Sequence, residues 1–390
     1  MSILPYTEAH TAFRARLADF LAREVTPRAD EFEQDHLVPK SIWTRMGSEG
    51  FLCTEVAKEY GGPGLDFLYS VIVAEEVAKT RQSGLAASLH SDIVVPYVTA
   101  YGNEDQKKRH LPGCVSGETI SAVAMTEPGA GSDLASMACT AVEEGGEVVI
   151  NGAKTFISNG IQCGLVVLAA RDPAVENPYQ ALSLYLVEDG TPGFTRGRKL
   201  EKMGMYAQDT AELFFSNCRI PMENRLGEKG QGFLMLMQKL QQERLMCAIM
   251  AVAASEFMVE MLIAHCKAAK DPAGKPMSKR QAVQFALVEM ATEAKLGRAL
   301  TDQLILSHMA KENVVVETSM AKYWTTEQVK RHADRALDIV GTDALLDNHP
   351  LARAFRDVRI MSIFAGANEI MKIVAARFEL AGVKPNETVP

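Results

Sequence analysis

Residues 236–250, LMQKLQQERLMCAIM, repeat apolar side chains at the period of an α-helix and set the class of the longest part of the chain. Leu236, Leu240, Glu243, Cys247 and Met250 fall at steps of four, three, four and three, so they share one face, while Lys239, Gln241 and Gln242 point elsewhere. One member of that apolar stripe, Glu243, is a carboxylate. Among apolar neighbours its pKa should rise, which suits a base that abstracts a proton in a dry pocket. A core Glu paired with Arg244, or with a partner elsewhere, satisfies the same pattern.

Outward from this stretch the helical period continues to residue 267 and returns over 279–311, 316–340 and 351–381, which predicts an antiparallel four-helix bundle within 226–390. Upstream the period changes. Runs at 120–125, 148–150, 155–158, 165–170, 182–187 and 211–215 are short, rich in β-branched and aromatic residues, and bounded by Gly, Asn and Asp. They predict a compact β domain over 120–225, a small barrel or a sandwich, with Gly145-Gly146 and Asn151-Gly152 as tight hairpin turns. Residues 1–119 are helical again, with Phe13, Leu17, Phe20 and Leu21 as a first stripe and further helices at 68–79 and 85–101. The Gly-rich segment 59–64, EYGGPG, reads as a turn, because no helix bearing Lys-Ser/Thr follows it at phosphate-binding spacing. The fold class is therefore mainly α with a central β domain. The polar tail, 383–390, is expected to fray.

Composition excludes several functions. With 390 residues, 47% hydrophobic and 23% charged, the chain has material for two or three domains with sizeable cores. A formal net charge of -8 argues against nucleic acid as a partner. The cysteine count, 7, is odd and no C-x-x-C pair occurs, so neither a disulfide framework nor a metal site is indicated and a reducing compartment is expected. The N-terminus lacks a basic segment followed by an apolar run, and no stretch of about eighteen apolar residues runs uninterrupted. A soluble, cytoplasmic protein without a membrane partner is the expectation. The 19 Met residues read mainly as filler of irregular core volume.

The loop at 125–133, MTEPGAGSD, closes a strand; its glycines allow close backbone approach to a ligand, and Thr126 and Ser132 add hydroxyls. A Gly-rich hairpin loop with capping hydroxyls is the plainer alternative. Taken with KTFISNG at 154–160, KLEKMGMYAQDTAELFF at 199–215 and the QQERL turn, this loop makes the chain resemble the acyl-CoA dehydrogenase family nearly end to end, closest to its long-chain and isovaleryl-type members.

The resemblance implies a helical N-terminal domain, a middle β-barrel and a C-terminal four-helix bundle, assembled as a dimer or a dimer of dimers. It implies a noncovalent FAD between β domain and bundle. Met125 and Thr126 would contact the flavin ring, Gly131 would let the backbone approach, and Ser132 would lie by the pyrophosphate or the thioester pantetheine. Phe156 and Ser158 would flank the ring on its other side, and Gly341 remains from a Gly-rich cofactor loop. Most members keep the catalytic Glu in a Tyr-Glu-Gly-Thr turn, which here reads Phe364-Ala365-Gly366-Ala367. In long-chain and isovaleryl-type members the base comes from the position of Glu243, with Arg244 as a supporting cation and Leu240 beside the acyl chain. The implied reaction is dehydrogenation of a saturated acyl-CoA to trans-2-enoyl-CoA, with an electron-transfer flavoprotein as acceptor. An acyl-carrier-protein substrate, or a paralogue that binds acyl-CoA or a partner without turnover, is the alternative. The second is motivated by departures at cofactor and subunit contacts: 270–274 reads KDPAG where many members have Arg-x-x-Phe-Gly, Asp343 stands in the loop around Gly341, and Ala367 replaces Thr.

Overall fold

The computed structural model describes residues 3–271 and 273–382, so the tail at 383–390 lies outside the described residues. Six helices open the chain: α1 (Glu8–Glu24), α2 (Ala29–Asp35), α3 (Lys40–Ser48), α4 (Phe67–Ala78), α5 (Val95–Tyr101) and α6 (Glu104–Ser116). Their starts are local chemistry. Thr7 and His10 form a reciprocal cap on α1, and Asn103 and Gln106 do the same on α6. The single helix expected over 85–101 is instead interrupted by a π-helical turn, Leu89–Val94, which leads into α5.

The central domain is one sheet of β1 (Ser121–Ala124), β2 (Thr140–Glu144), β3 (Glu147–Ser158), β4 (Leu165–Arg171), β5 (Leu182–Glu188), β6 (Phe194–Lys199), β7 (Thr210–Pro221) and β8 (Arg225–Leu226), with a short helix α7 (Pro178–Ala181) before β5. The order is β6-β7-β3-β2-β4-β5-β8, and β1 pairs in parallel with β4. No pairing joins the end strands β6 and β8 among the described residues, so the expected barrel is not closed by hydrogen bonds. Gly145-Gly146 does turn β2 into β3. Asn151-Gly152 does not make a hairpin. It lies inside β3 at a register shift against β7, where a Cβ on Gly152 would come within 2.7 Å of Cys139. The two predicted runs at 148–150 and 155–158 are thus one bulged strand.

The C-terminal bundle comprises α8 (Gly232–Ala268), α9 (Gln281–Met309), α10 (Val315–Val340), α11 (Pro350–Val358) and α12 (Asn368–Ala381). The single helix expected over 351–381 breaks at the turn around Phe364–Ala367, where Ala365 (φ 50) and Gly366 (φ 96) are left-handed. By length and composition α8 could cross a membrane, but 61% of its most apolar window is buried. Leu245, Met246 and Ile249 of α8 pack on Phe67, Leu68 and Val71 of α4, and its later turns pack on α9 and α10. One core spans the helical N-terminal domain and the sheet, from Trp43 and Tyr97 to Val166 and Leu184. The three domains converge beside the middle of α8.

Candidate active site

A cavity of ≈ 330 Å³ opens at that convergence. Glu243, Cys247, Met250 and Ala254 of α8 form one wall, and Ser88, Leu89 and Ile93 of the π-turn region form another. Met125, Thr126, Phe156 and Ser158 face it from the β domain, and Phe364 and Ala365 from the turn before α12. Glu243 and Ala365, distant in sequence, therefore line one space.

Glu243 is 4% exposed. Tyr97 of α5 donates its hydroxyl to Glu243 Oε1 at 2.7 Å. Burial raises the Glu243 pKa to about 7, although the Tyr97 bond and the charges of Arg244 and Lys239 pull the other way. The carboxyl can thus exchange a proton near neutral pH. Arg244 is buried behind it; Nη1 donates to Ser319 Oγ at 3.2 Å, and burial lowers its pKa. It makes no ion pair among the described residues and does not line the cavity, so it acts on Glu243 only through its charge.

On the sheet side a buried ion pair sets the loop. Lys154 of β3 lies 2.7 Å from Glu127 and also donates to the Met125 carbonyl at 3.0 Å. Glu127 accepts from the amides of Ala138 and Cys139, and Thr155 N–H donates to the Thr126 carbonyl. Met125 and Thr126 are therefore held on the cavity edge. The second register shift of β3, between Lys154 and Ile157, gives Phe156 a φ of 57 and leaves it 68% exposed while Lys154 is fully buried. An exposed aromatic face on a mostly apolar cavity fits a flat heteroaromatic ring such as that of FAD. Across the cavity, Lys322 of α10 donates to the Gly366 carbonyl (2.7 Å) and to Asn368 Oδ1 (3.1 Å), fixing the turn that carries Ala365.

Of the ten residues expected from sequence to bind or act, five are brought together here: Met125, Thr126, Phe156, Ser158 and Glu243. Arg244, Gly131, Ser132, Leu240 and Gly341 are not lining residues. Gly131 and Ser132 sit on the exposed part of the loop that begins at Met125, Leu240 is half-buried one helical turn before Glu243, and Gly341 ends α10 with φ 86. In the departing segment, Asp271 accepts from the amides of Ala273 and Lys275, and residue 272 lies outside the described residues. Tyr97, Lys322 and the Lys154–Glu127 pair were not anticipated. Tyr97 lies in an apolar run, IVVPYV, that carries no local mark of a polar task, whereas a Lys inside a strand bounded by apolar runs is a signal that could have been read.

The sequence profile of the acyl-CoA dehydrogenase N-terminal domain matches residues 7–118, that of the middle domain residues 122–218, and that of the C-terminal domain residues 230–380. The long-chain specific acyl-CoA dehydrogenase of Sus scrofa is 41% identical over 373 residues, covering 95% of this chain and 86% of that protein. The crystal structure of an acyl-CoA dehydrogenase from Geobacillus kaustophilus superposes with a TM-score of 0.94 at 48% identity, covering 97% of this chain and 99% of the other. A structure described as the electron transferring flavoprotein of Acidaminococcus fermentans gives a TM-score of 0.92 at 30% identity, covering 97% and 100%. With profiles of all three domains in order and relatives matched nearly end to end, this chain belongs to the acyl-CoA dehydrogenase family, FAD-dependent oxidoreductases that act on acyl-CoA.

Proposed function

We propose that the protein converts a saturated acyl-CoA to the trans-2-enoyl-CoA, with Glu243 taking the α-proton of the thioester. The observation that carries this is a buried carboxylate, Glu243, lining the same cavity as Ala365, which has no titratable group. FAD, when bound, supplies the acceptor for the hydride that leaves the β-carbon. Met125, Thr126, Phe156 and Ser158 would hold its ring against the sheet. The chain's own part is then to exclude water, hold the acyl chain and receive the proton. Cys247, Met250 and Ala254 continue the apolar wall beyond Glu243, and displacement of water by a bound thioester would make the carboxylate a stronger base. Small side chains at Ala74, Ala78 and Ala86 leave room along the cavity for a long acyl tail, in keeping with the name of the Sus scrofa relative.

Electrons would leave to an electron-transfer flavoprotein, a partner suggested by the Acidaminococcus fermentans structure. A homodimer or dimer of dimers is proposed from the resemblance alone. Seven free, buried thiols support a reducing, cytoplasmic setting. The test is anaerobic addition of a panel of saturated acyl-CoAs to the FAD-loaded protein. Loss of visible flavin absorption with formation of the 2-enoyl thioester is expected. A protein that holds no FAD, or one whose absorption every acyl-CoA leaves unchanged, favours the non-catalytic alternative.

A further inference from the structure

Glu243 is gripped at one oxygen only. Tyr97 donates to Oε1 at 2.7 Å, and Oε2 accepts no hydrogen bond among the described residues. Tyr97 is fully buried and absent from the cavity lining, so substrate in the cavity has no access to it. Its place is set by the π-turn: Leu89 and Ile93 of that turn line the cavity, and α5 begins immediately after it and carries Tyr97 behind the carboxylate.

We propose that Tyr97 is a positioning residue: its phenol fixes Oε1 of Glu243, biases the group toward the carboxylate against the effect of burial, and leaves Oε2 to receive the substrate proton. The inference rests on Glu243 being the base. The step balances: the α C–H pair stays with the substrate as the new double bond, the proton moves to Oε2, and the β C–H pair departs as hydride, for which FAD, when bound, would supply the acceptor. A phenol donor favours the charged form of a carboxylate, against the effect of burial. Other groups around the site act from further away. Lys239 and Arg244 share α8, and Lys322 of α10 faces Arg244 and Cys247. His308 of α9 and Glu55 of the N-terminal domain face Lys239, and the Asp92 carbonyl accepts from the Gln242 side chain. None of these hydrogen-bonds Glu243 among the described residues, so the phenol is its one directional contact.

The test uses the FAD-loaded enzyme. The infrared carbonyl band of protonated Glu243, identified by its loss in Glu243→Gln, is titrated without substrate, and flavin reduction by acyl-CoA is followed against pH. Tyr97→Phe should raise both the infrared midpoint and the acid limb of the rate profile by about one pH unit, and should slow reduction several-fold on the alkaline plateau because the carboxylate is less well aimed. Replacing Tyr97 with 3,5-difluorotyrosine, which keeps the ring and strengthens the donor, should move both the other way. Midpoints unmoved in both variants overturn the proposal. Rapid reduction in Glu243→Gln would instead overturn the assignment of the base, and the infrared midpoints would still decide whether Tyr97 biases the carboxylate.

Discussion

A carboxylate that loses its water on folding holds its proton more tightly, and Glu243 does so with a pKa near 7 against an ordinary value of 4.5. Two consequences follow, with opposite demands. Proton abstraction needs the ionised form, so the rate of flavin reduction should rise with pH through about 7. Folding favours the protonated form. A pKa raised in the folded state gives a contribution that is fully present below pH 4.5 and is lost as pH rises through about 7. Glu243→Gln, neutral at every pH, should therefore stabilise the protein relative to wild type at pH 8 but not at pH 4, by at most ~3 kcal/mol. Comparing thermal midpoints at the two pH values checks this; equal differences at both would contradict it. Glu243 was legible because it interrupts an apolar stripe of fixed period. Tyr97, its partner, was not, because a Tyr in an apolar run looks like core until a residue 146 positions away supplies the acceptor.

At the scale of elements, the β3 strand explains both a success and a failure. The runs 148–150 and 155–158 were correctly assigned to strands, but Asn151-Gly152 between them was read as a turn, because two bulges reverse the alternation that sequence period relies on. The first demands Gly152, since a Cβ there meets Cys139 at 2.7 Å; Gly152→Val should cost about 1–3 kcal/mol in denaturant unfolding. The second turns Phe156 out and Lys154 in. Lys154→Met leaves the Glu127 carboxylate buried without its cation, which should destabilise by about 3–5 kcal/mol. Because the same ammonium holds the Met125 carbonyl, this variant should also bind FAD more weakly, measurable by loss of flavin on dialysis. Retention of FAD at wild-type affinity would show that the loop is set without it. The break before α12 was hidden from periodicity for a related reason: helical period persists on both sides of the Phe364–Ala367 turn, which only the family resemblance named, and of its two left-handed residues, Ala365 and Gly366, only the glycine is a type that announces a turn.

The whole molecule depends on contacts that no local pattern encodes. Each domain keeps its own period, so the order helical, β, helical could be read directly. Their docking could not. Arg353 of α11 reaches back to the Arg81 carbonyl (3.0 Å) and to Asp30 (2.5 Å), while Asp357 accepts from Ser83 Oγ and Met205 N–H. These bonds tie the N-terminal domain, the loop before β7 and the bundle together beside the cavity, which both α11 residues line. Asp30 is largely exposed, so its share is screened, and the buried contacts of Arg353 matter more. Arg353→Ala should cost on the order of 2–3 kcal/mol and speed hydrogen exchange at the domain junction more than within the sheet. Uniform exchange changes across all three domains would argue against a junction role.

The proposed chemistry rests on Glu243, and rapid mixing of Glu243→Gln with a saturated acyl-CoA under anaerobic conditions tests its role most directly. The predicted result is a yellow protein with FAD bound whose reduction is slowed by about 10²–10⁴-fold. Reduction at close to the wild-type rate would place the base elsewhere.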